Sequence, residues 1–239
     1  MSFSNISFIL NKPQLSENIG ACARALKNFN FKKLILINPK PIFPNDKIIA
    51  TSVGAKDVIK NSKVFNNLEN SINKIDYLIA TTSRFRNKNI RHINLNELSK
   101  IDFRKKVAFL FGSEASGLSN EEVSYANCVM QIPTNPNFKS LNLSHSVIII
   151  AQVVSNIIKL KSLKYSKSKK IISASKRDIQ SMINLCIKQL ENRNFFKPNE
   201  KKPIMIENLR SIFYKMELSE KETRILSSVF ANLSKKKVD

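Results

Sequence analysis

Short apolar runs recur along the first two thirds of the chain, with helical spacing between them. The runs are ISFIL (6–10), KLILI (33–37), YLIAT (77–81), VAFLF (107–111) and CVMQI (128–132). An unbroken apolar run of this length predicts a strand covered on both faces, not one with a wet side. Residues 17–30, 67–73, 95–100 and 143–161 carry the spacing of helices that bury one face. Alternation of strands and helices predicts an α/β domain with a mainly parallel sheet.

The pattern then changes. Residues 159–177 hold eight basic side chains and no acidic one, with few large apolar residues over much of the stretch. A helix end running into a basic linker fits this composition. RDIQSMINLCIKQLEN, IENLRSIFYKM and EKETRILSSVFANLSKK return to helical periodicity, and Ser175 is placed to cap the first of them. The expected organisation is an α/β domain over 1–160, a basic linker over 161–174 and a small all-helical region over 175–239. No internal repeat is visible.

A length of 239 residues suits one large domain, or one domain with an appendage. The net charge of +22 changes the picture more. It is far beyond what solubility requires and implies attraction to a polyanion, either nucleic acid or an anionic membrane surface. Part of the lysine excess is also what an AT-rich coding sequence would give. Three widely spaced cysteines argue against a disulfide framework, and with only two histidines no metal site is expected. His145 is expected to be a packed helix residue and not a catalytic one. The N-terminus has no basic leader or small-residue cleavage site, so no signal peptide is expected. The apolar run VIIIAQVV is short of the ~20 residues that span a bilayer. A cytoplasmic, reduced protein with no membrane partner is the expectation.

Candidate chemistry lies in three segments. FGSEASGL (111–118) is a glycine loop leaving a strand. Gly112 and Gly117 have P-loop spacing and Ser119 fits its Ser/Thr position, but Leu118 stands where the Lys is needed, and no G-x-G-x-x-G occurs. Glu114 would repel phosphates, so a ligand with a donor group and little negative charge fits better. SENIGACARALKNFNF (16–31) opens a helix bearing Asn18 and Arg24. QIPTNPNFKSLNLSHS (131–146) leads into a helix through Ser140, Asn142 and Ser144. Alone, Arg24 reads equally as a solvated side chain, and the Ser/Asn cluster as ordinary capping.

Together, N-x-G-x-x-A-R, F-G-x-E-x-x-G-L and I-P…S-L-N-x-S, in this order after strands, resemble the SPOUT class of methyltransferases. They are most similar to the TrmH-type RNA ribose 2′-O-methyltransferases, and SRFRNKNIR with the helical tail resembles the TrmJ branch. The resemblance covers essentially the whole chain, with Ser146 a departure where alanine is expected. It implies a SPOUT fold with a deep trefoil knot towards its C-terminal end. It implies S-adenosylmethionine bound by Thr81, Thr82, Ser83, Gly112, Glu114, Gly117, Ile132, Ser140, Leu141 and Asn142. It implies catalysis by Arg24 with Asn18, Ser140 and Asn142, no metal, and a homodimer that joins Arg24 to the cofactor site. The substrate it implies is tRNA, at nucleotide 32 of the anticodon loop, with Arg24, Arg84, Arg86, Lys88 and Arg91 holding RNA. A ribosomal RNA 2′-O-methyltransferase, or an RNA-binding protein without catalysis, are the alternatives.

Overall fold

The computed structural model describes residues 3–84, 90–162 and 172–233. In chain order, β1 (Ile6–Asn11), α1 (Ser16–Asn28) and β2 (Leu34–Ile37) come first. Next are α2 (Asp46–Ser52), α3 (Lys56–Lys60), β3 (Lys63–Phe65), α4 (Leu68–Ile72) and β4 (Tyr77–Thr81). β5 (His92–Ile93), a 3-10 helix (Leu95–Lys100), β6 (Val107–Phe111), α5 (Asn120–Ser124), β7 (Cys128–Met130) and α6 (Leu143–Ser162) follow. The tail forms α7 (Lys176–Asn192), α8 (Lys202–Lys215) and α9 (Glu220–Asn232). Ser175 caps α7 as its position suggested, accepting from the backbone N–H of Asp178.

The seven strands form one sheet in the order β3-β2-β1-β6-β4-β7-β5, and every described pairing is parallel. Alternate strand residues feed two cores. Phe8, Leu10, Ile79, Phe109, Phe111 and Met130 face α1 and α6. Ile9, Leu78, Ala80, Leu110 and Val129 face the other way, against α4, α5 and the tail. This double coverage is why the strands read as unbroken apolar runs. Ile179, Met182 and Ile183 of α7 and Tyr214 of α8 belong to the second core, so the tail closes one face of the sheet.

The apolar run near residue 150 is part of a longer object than its eight letters suggested. α6 has 20 residues, and an 18-residue window within it reaches a mean hydropathy of 1.6, enough to cross a membrane by length and composition. One side of α6 is core: Val147, Ile150, Ala151 and Val154 are fully buried. His145 is exposed, contrary to the expectation that it is packed.

Lys176 pins the tail. It is 1% exposed, and its Nζ donates to the backbone carbonyl of Tyr125 and to Asn127 Oδ1. It also lies 4.0 Å from the centre of the Tyr214 ring. Burial pushes the Lys176 ammonium well below the ordinary lysine range. The unfolded chain therefore binds a proton that the folded chain does not, from the depressed folded value up to ~10.4. Across that window stability rises with pH. The parent should gain on a Lys176→Met variant between pH 8 and pH 10, by up to about 1.4 kcal/mol per pH unit. Urea denaturation of both proteins reads this, and a pH-independent difference would contradict it.

Candidate active site

Parallel pairing brings the C-terminal ends of the central strands to one level. Leu10 lies beside Phe111, Ala80 beside Leu110, and Thr81 beside Met130. Loops leaving β4, β6 and β7 consequently meet at one edge, the usual ligand position in an open α/β sheet. There they surround a cavity of about 380 Å³, within the range of small-molecule sites.

Of the residues expected to hold the cofactor, nine line this cavity: Thr81, Thr82, Ser83, Gly112, Glu114, Gly117, Ile132, Ser140 and Leu141. Asn142 stands just behind it. Thr81 donates its hydroxyl to the carbonyl of Leu110, 3.0 Å away, tying β4 to β6 below the cavity floor. The glycine loop folds back on itself through an isolated bridge between Ser113 and Gly117. A Cβ on Gly112 would lie 2.2 Å from the carbonyl carbon of Gly117 and 2.4 Å from the nitrogen of Leu118. Gly117 has φ of +68°, a conformation that glycine takes without strain. Both glycines serve the closure of the loop.

Glu114 joins the three segments. Its Oε2 accepts from the backbone N–H of Gln14 at 2.9 Å, and its Oε1 from Asn18 Nδ2 at 2.8 Å. Asn18 Oδ1 accepts from Asn142 Nδ2 at 3.0 Å. Asn142 Oδ1 then accepts from the backbone N–H and the hydroxyl of Ser144, each at 2.8 Å, at the start of α6. A carboxylate only accepts, so it fixes which end of the Asn18 amide faces it, and through Asn18 the orientation of Asn142. This relay also removes the objection to Glu114 beside a ligand, because its charge is spent on donors of the protein.

Asn18 is buried and turned towards Glu114, whereas Arg24 is exposed six residues further along α1. The two do not meet, so an orienting contact of Asn18 on Arg24 is absent among the described residues. Arg24 does not line the cavity. Arg84 does, and Arg91 makes an ion pair with Glu217 at 3.7 Å. Arg86 and Lys88 lie outside the described residues. Sequence reasoning missed Lys139, Ser113, Ser116 and Ser146 as lining residues. Ser146 had a signal, as the one departure from the motif. Its hydroxyl donates to the carbonyl of Asn142 at 3.2 Å.

The SpoU rRNA Methylase family model matches residues 5–152, from the first strand into α6, and takes in all three segments and the cavity they build. The chain belongs to the SpoU rRNA Methylase family. Similarity to SpoU-family proteins also extends through the helical tail. The chain is 32% identical to a Sulfolobus acidocaldarius protein named tRNA (cytidine-2′-O-)-methyltransferase TrmJ, over 91% of this chain and 97% of that protein. It is 28% identical to a Pectobacterium atrosepticum protein named tRNA (cytidine/uridine-2′-O-)-methyltransferase TrmJ, over 97% of each. The crystal structure of TrmJ from Z. mobilis ZM4 matches with a TM-score of 0.86 at 28% identity, covering 96% of this chain and 99% of that one. The parallel sheet with helices on both faces is thus the SpoU/SPOUT fold expected from the motifs.

Asn18→Asp tests the relay. It sets a second carboxylate at 2.8 Å from Glu114, and one of the two must then hold a proton or move away. Cofactor affinity is expected to fall about tenfold at pH 8 and less at pH 6, where the pair shares a proton. Titration calorimetry at both pH values reads this, and equal affinity for parent and variant would show that the relay has no part in binding.

Proposed function

We propose that the chain transfers a methyl group from S-adenosylmethionine to a ribose 2′-hydroxyl of tRNA, at nucleotide 32 of the anticodon loop. The observation that carries this reading is the convergence of the three motif segments on one cavity, locked by Glu114, Asn18 and Asn142. The two relatives and the solved structure reported above, similar over nearly the whole chain, support the choice of tRNA.

The cavity suits the cofactor. Hydroxyls of Thr81, Thr82, Ser83, Ser140 and Ser146 offer polar contacts, while Phe111, Leu118, Ile132 and Leu141 offer apolar ones. Nothing in the glycine loop resembles a phosphate cradle. Bound S-adenosylmethionine supplies an electrophilic methyl group on a cationic sulfur. In the overall exchange the ribose oxygen gains the methyl and its proton passes to water, the carbon–sulfur bond breaks, and a neutral thioether leaves, so no general acid is needed. The protein's work is alignment, and help for an oxygen that loses its proton as it attacks. A guanidinium with a pKa above ~12 is a poor base. Arg24 serves instead by gripping a phosphate and stabilising negative charge on the ribose oxygen.

Arg24 reaches this site in a homodimer, from the partner protomer. The outer side of α6, with Ile148 and Leu160 exposed, is the natural interface. The working division of the chain is 1–160 for chemistry, 161–174 as a basic link, and 175–239 for RNA contacts and support of the dimer. Arg84, which lines the cavity, holds a substrate phosphate there, with Arg86, Lys88 and Arg91 of the following segment adding contacts to the RNA. The tRNA substrate places the reaction in the cytoplasm.

Labelled S-adenosylmethionine and bulk unmodified tRNA test the proposal directly, with the modified nucleoside identified by mass spectrometry. Ribose-methylated C or U mapping to the anticodon loop is the expected product. Transfer to ribosomal RNA alone would make it a ribosomal enzyme. Cofactor binding without transfer to either RNA would overturn the substrate assignment.

A further inference from the structure

A second cavity of about 500 Å³ adjoins the first. One wall is the end of β5 and the start of the 3-10 helix, with His92, Asn94 and Glu97. The other is the chain leaving β7, with Gln131, Thr134 and Pro136. Ile132 and Lys139 line both cavities, so the two share a partition. Gln131 strengthens it. Its Nε2 donates to the carbonyl of Ser83 at 3.1 Å, and Ser83 lines the first cavity.

The lining of the second cavity is neither a phosphate site nor a purely apolar pocket. Ile93, Ile132, Pro133 and Pro136 offer flat apolar surface, and Gln131 and Thr134 offer amide and hydroxyl groups between them. Glu97 would repel an anion placed inside. It is held in place by accepting from the backbone N–H of Asn94 at 3.1 Å. Lys139, on the shared partition, supplies a cation where a sugar–phosphate chain would pass. A flat, uncharged heterocycle with a hydrogen-bonding edge matches this lining. In a nucleotide, the base hangs from the ribose carbon next to the one that carries the 2′-hydroxyl. A ribose presenting its 2′-oxygen to the first cavity therefore has its base at hand for the second.

We propose that the second cavity receives the base of the nucleotide being methylated, taken out of the stack, and that Gln131 and Thr134 read its edge. This rests on the methyl-transfer reading given above. With Nε2 engaged by Ser83, the Gln131 amide keeps its carbonyl oxygen and one N–H for a ligand. The oxygen can accept from the exocyclic amine of cytosine or from the ring N–H of uracil. Both pyrimidines are therefore substrates, and the amide, not the size of the cavity, sets their ratio. Stacking against the proline and isoleucine surface is indifferent to the base.

Two readouts test this, one of them free of turnover. tRNA carrying 4-thiouridine at nucleotide 32 is irradiated with the full-length protein, and the cross-linked peptide is mapped by mass spectrometry. Cross-links within residues 92–97 or 131–139 are expected. In steady-state assays, Gln131→Leu should raise KM for tRNA about tenfold and alter the C-to-U ratio, as expected for a lost polar contact to a base. Thr134→Trp, which fills the cavity, should raise KM more. S-adenosylmethionine affinity should stay within about twofold in Thr134→Trp, whose residue does not line the first cavity. Cross-links confined to other segments, with KM and base ratio unchanged in both variants, would overturn the proposal. Methyl transfer without a cross-link in the two named segments sinks the base site and leaves the methyl-transfer reading intact. The cross-link without any methyl transfer keeps the cavity as a base-binding site but sinks the methyl-transfer reading, and with it the claim that the bound base belongs to a nucleotide being methylated.

Discussion

Arg24→Ala should lower kcat for tRNA methylation by about 10²–10³-fold, the usual loss when a group aimed at developing charge is removed. Binding of S-adenosylmethionine should be unchanged, because Arg24 does not line the cofactor cavity. The shape of the pH–rate profile should also be unchanged, only lower. A profile that loses its alkaline-rising limb would point to Arg24 as a base instead. Because Arg24 is exposed on α1, away from the cavity of its own chain, its partner site should be separable. Mixing Arg24→Ala chains with chains defective in the cofactor loop should restore about a quarter of the parent activity, since half the dimers would then contain one intact site. No restoration would mean that each chain uses its own arginine.

Gly112→Ala should weaken cofactor binding by about two orders of magnitude. The added methyl would meet backbone atoms of Gly117 and Leu118 at 2.2–2.5 Å, and backbone cannot turn aside as a side-chain tip can. The loop must open, at a cost of about 3 kcal/mol. If binding has to reverse that opening, affinity falls about 150-fold. Calorimetry with S-adenosylmethionine reads the affinity, and thermal unfolding shows whether the α/β core survives. Parent-like affinity would mean that the loop closes in another way. Gly117→Ala should cost less, since nothing lies within 4 Å of its added Cβ and only the positive φ is strained.

How much of this was legible in the sequence depended on distance along the chain. Five strands announced themselves because both of their faces are buried. β3 is an edge strand with Lys63 and Val64 exposed, and β5 has two residues, so neither leaves an apolar run to read. The three motif segments were visible as local patterns, and the strands preceding them placed nine of the ten expected cofactor residues around one cavity. The relay was not visible. Asn18 meets Glu114 across 96 residues and Asn142 across 124, and nothing in local spacing says that a helix-start asparagine will look sideways instead of capping its own helix. The tail was read correctly as amphipathic helices, but periodicity says only that a face is apolar, not what it covers. That it covers the β4–β7 side of the sheet depends on Lys176 and Tyr214 meeting Tyr125 and Asn127. His145 was misjudged because the core-facing stripe of α6 runs through Leu143, Val147 and Ile150 and passes beside it.

The sheet order sets a timetable for synthesis. β1 leaves the ribosome first, yet it lies between β2 and β6, and β6 begins only at Val107. About a hundred residues must be made before β1 has both neighbours, and β4 likewise waits for β6 and β7. The second face of these strands, covered in part by α4 and α5, is not closed until α7 and Tyr214 have emerged. Parallel pairing between such distant segments is slow to form and leaves strand edges open in the meantime. Overproduced chain should therefore be most prone to aggregate while nascent, and translation slowed or cooled between β4 and α7 should raise the soluble yield more than any change to the finished surface.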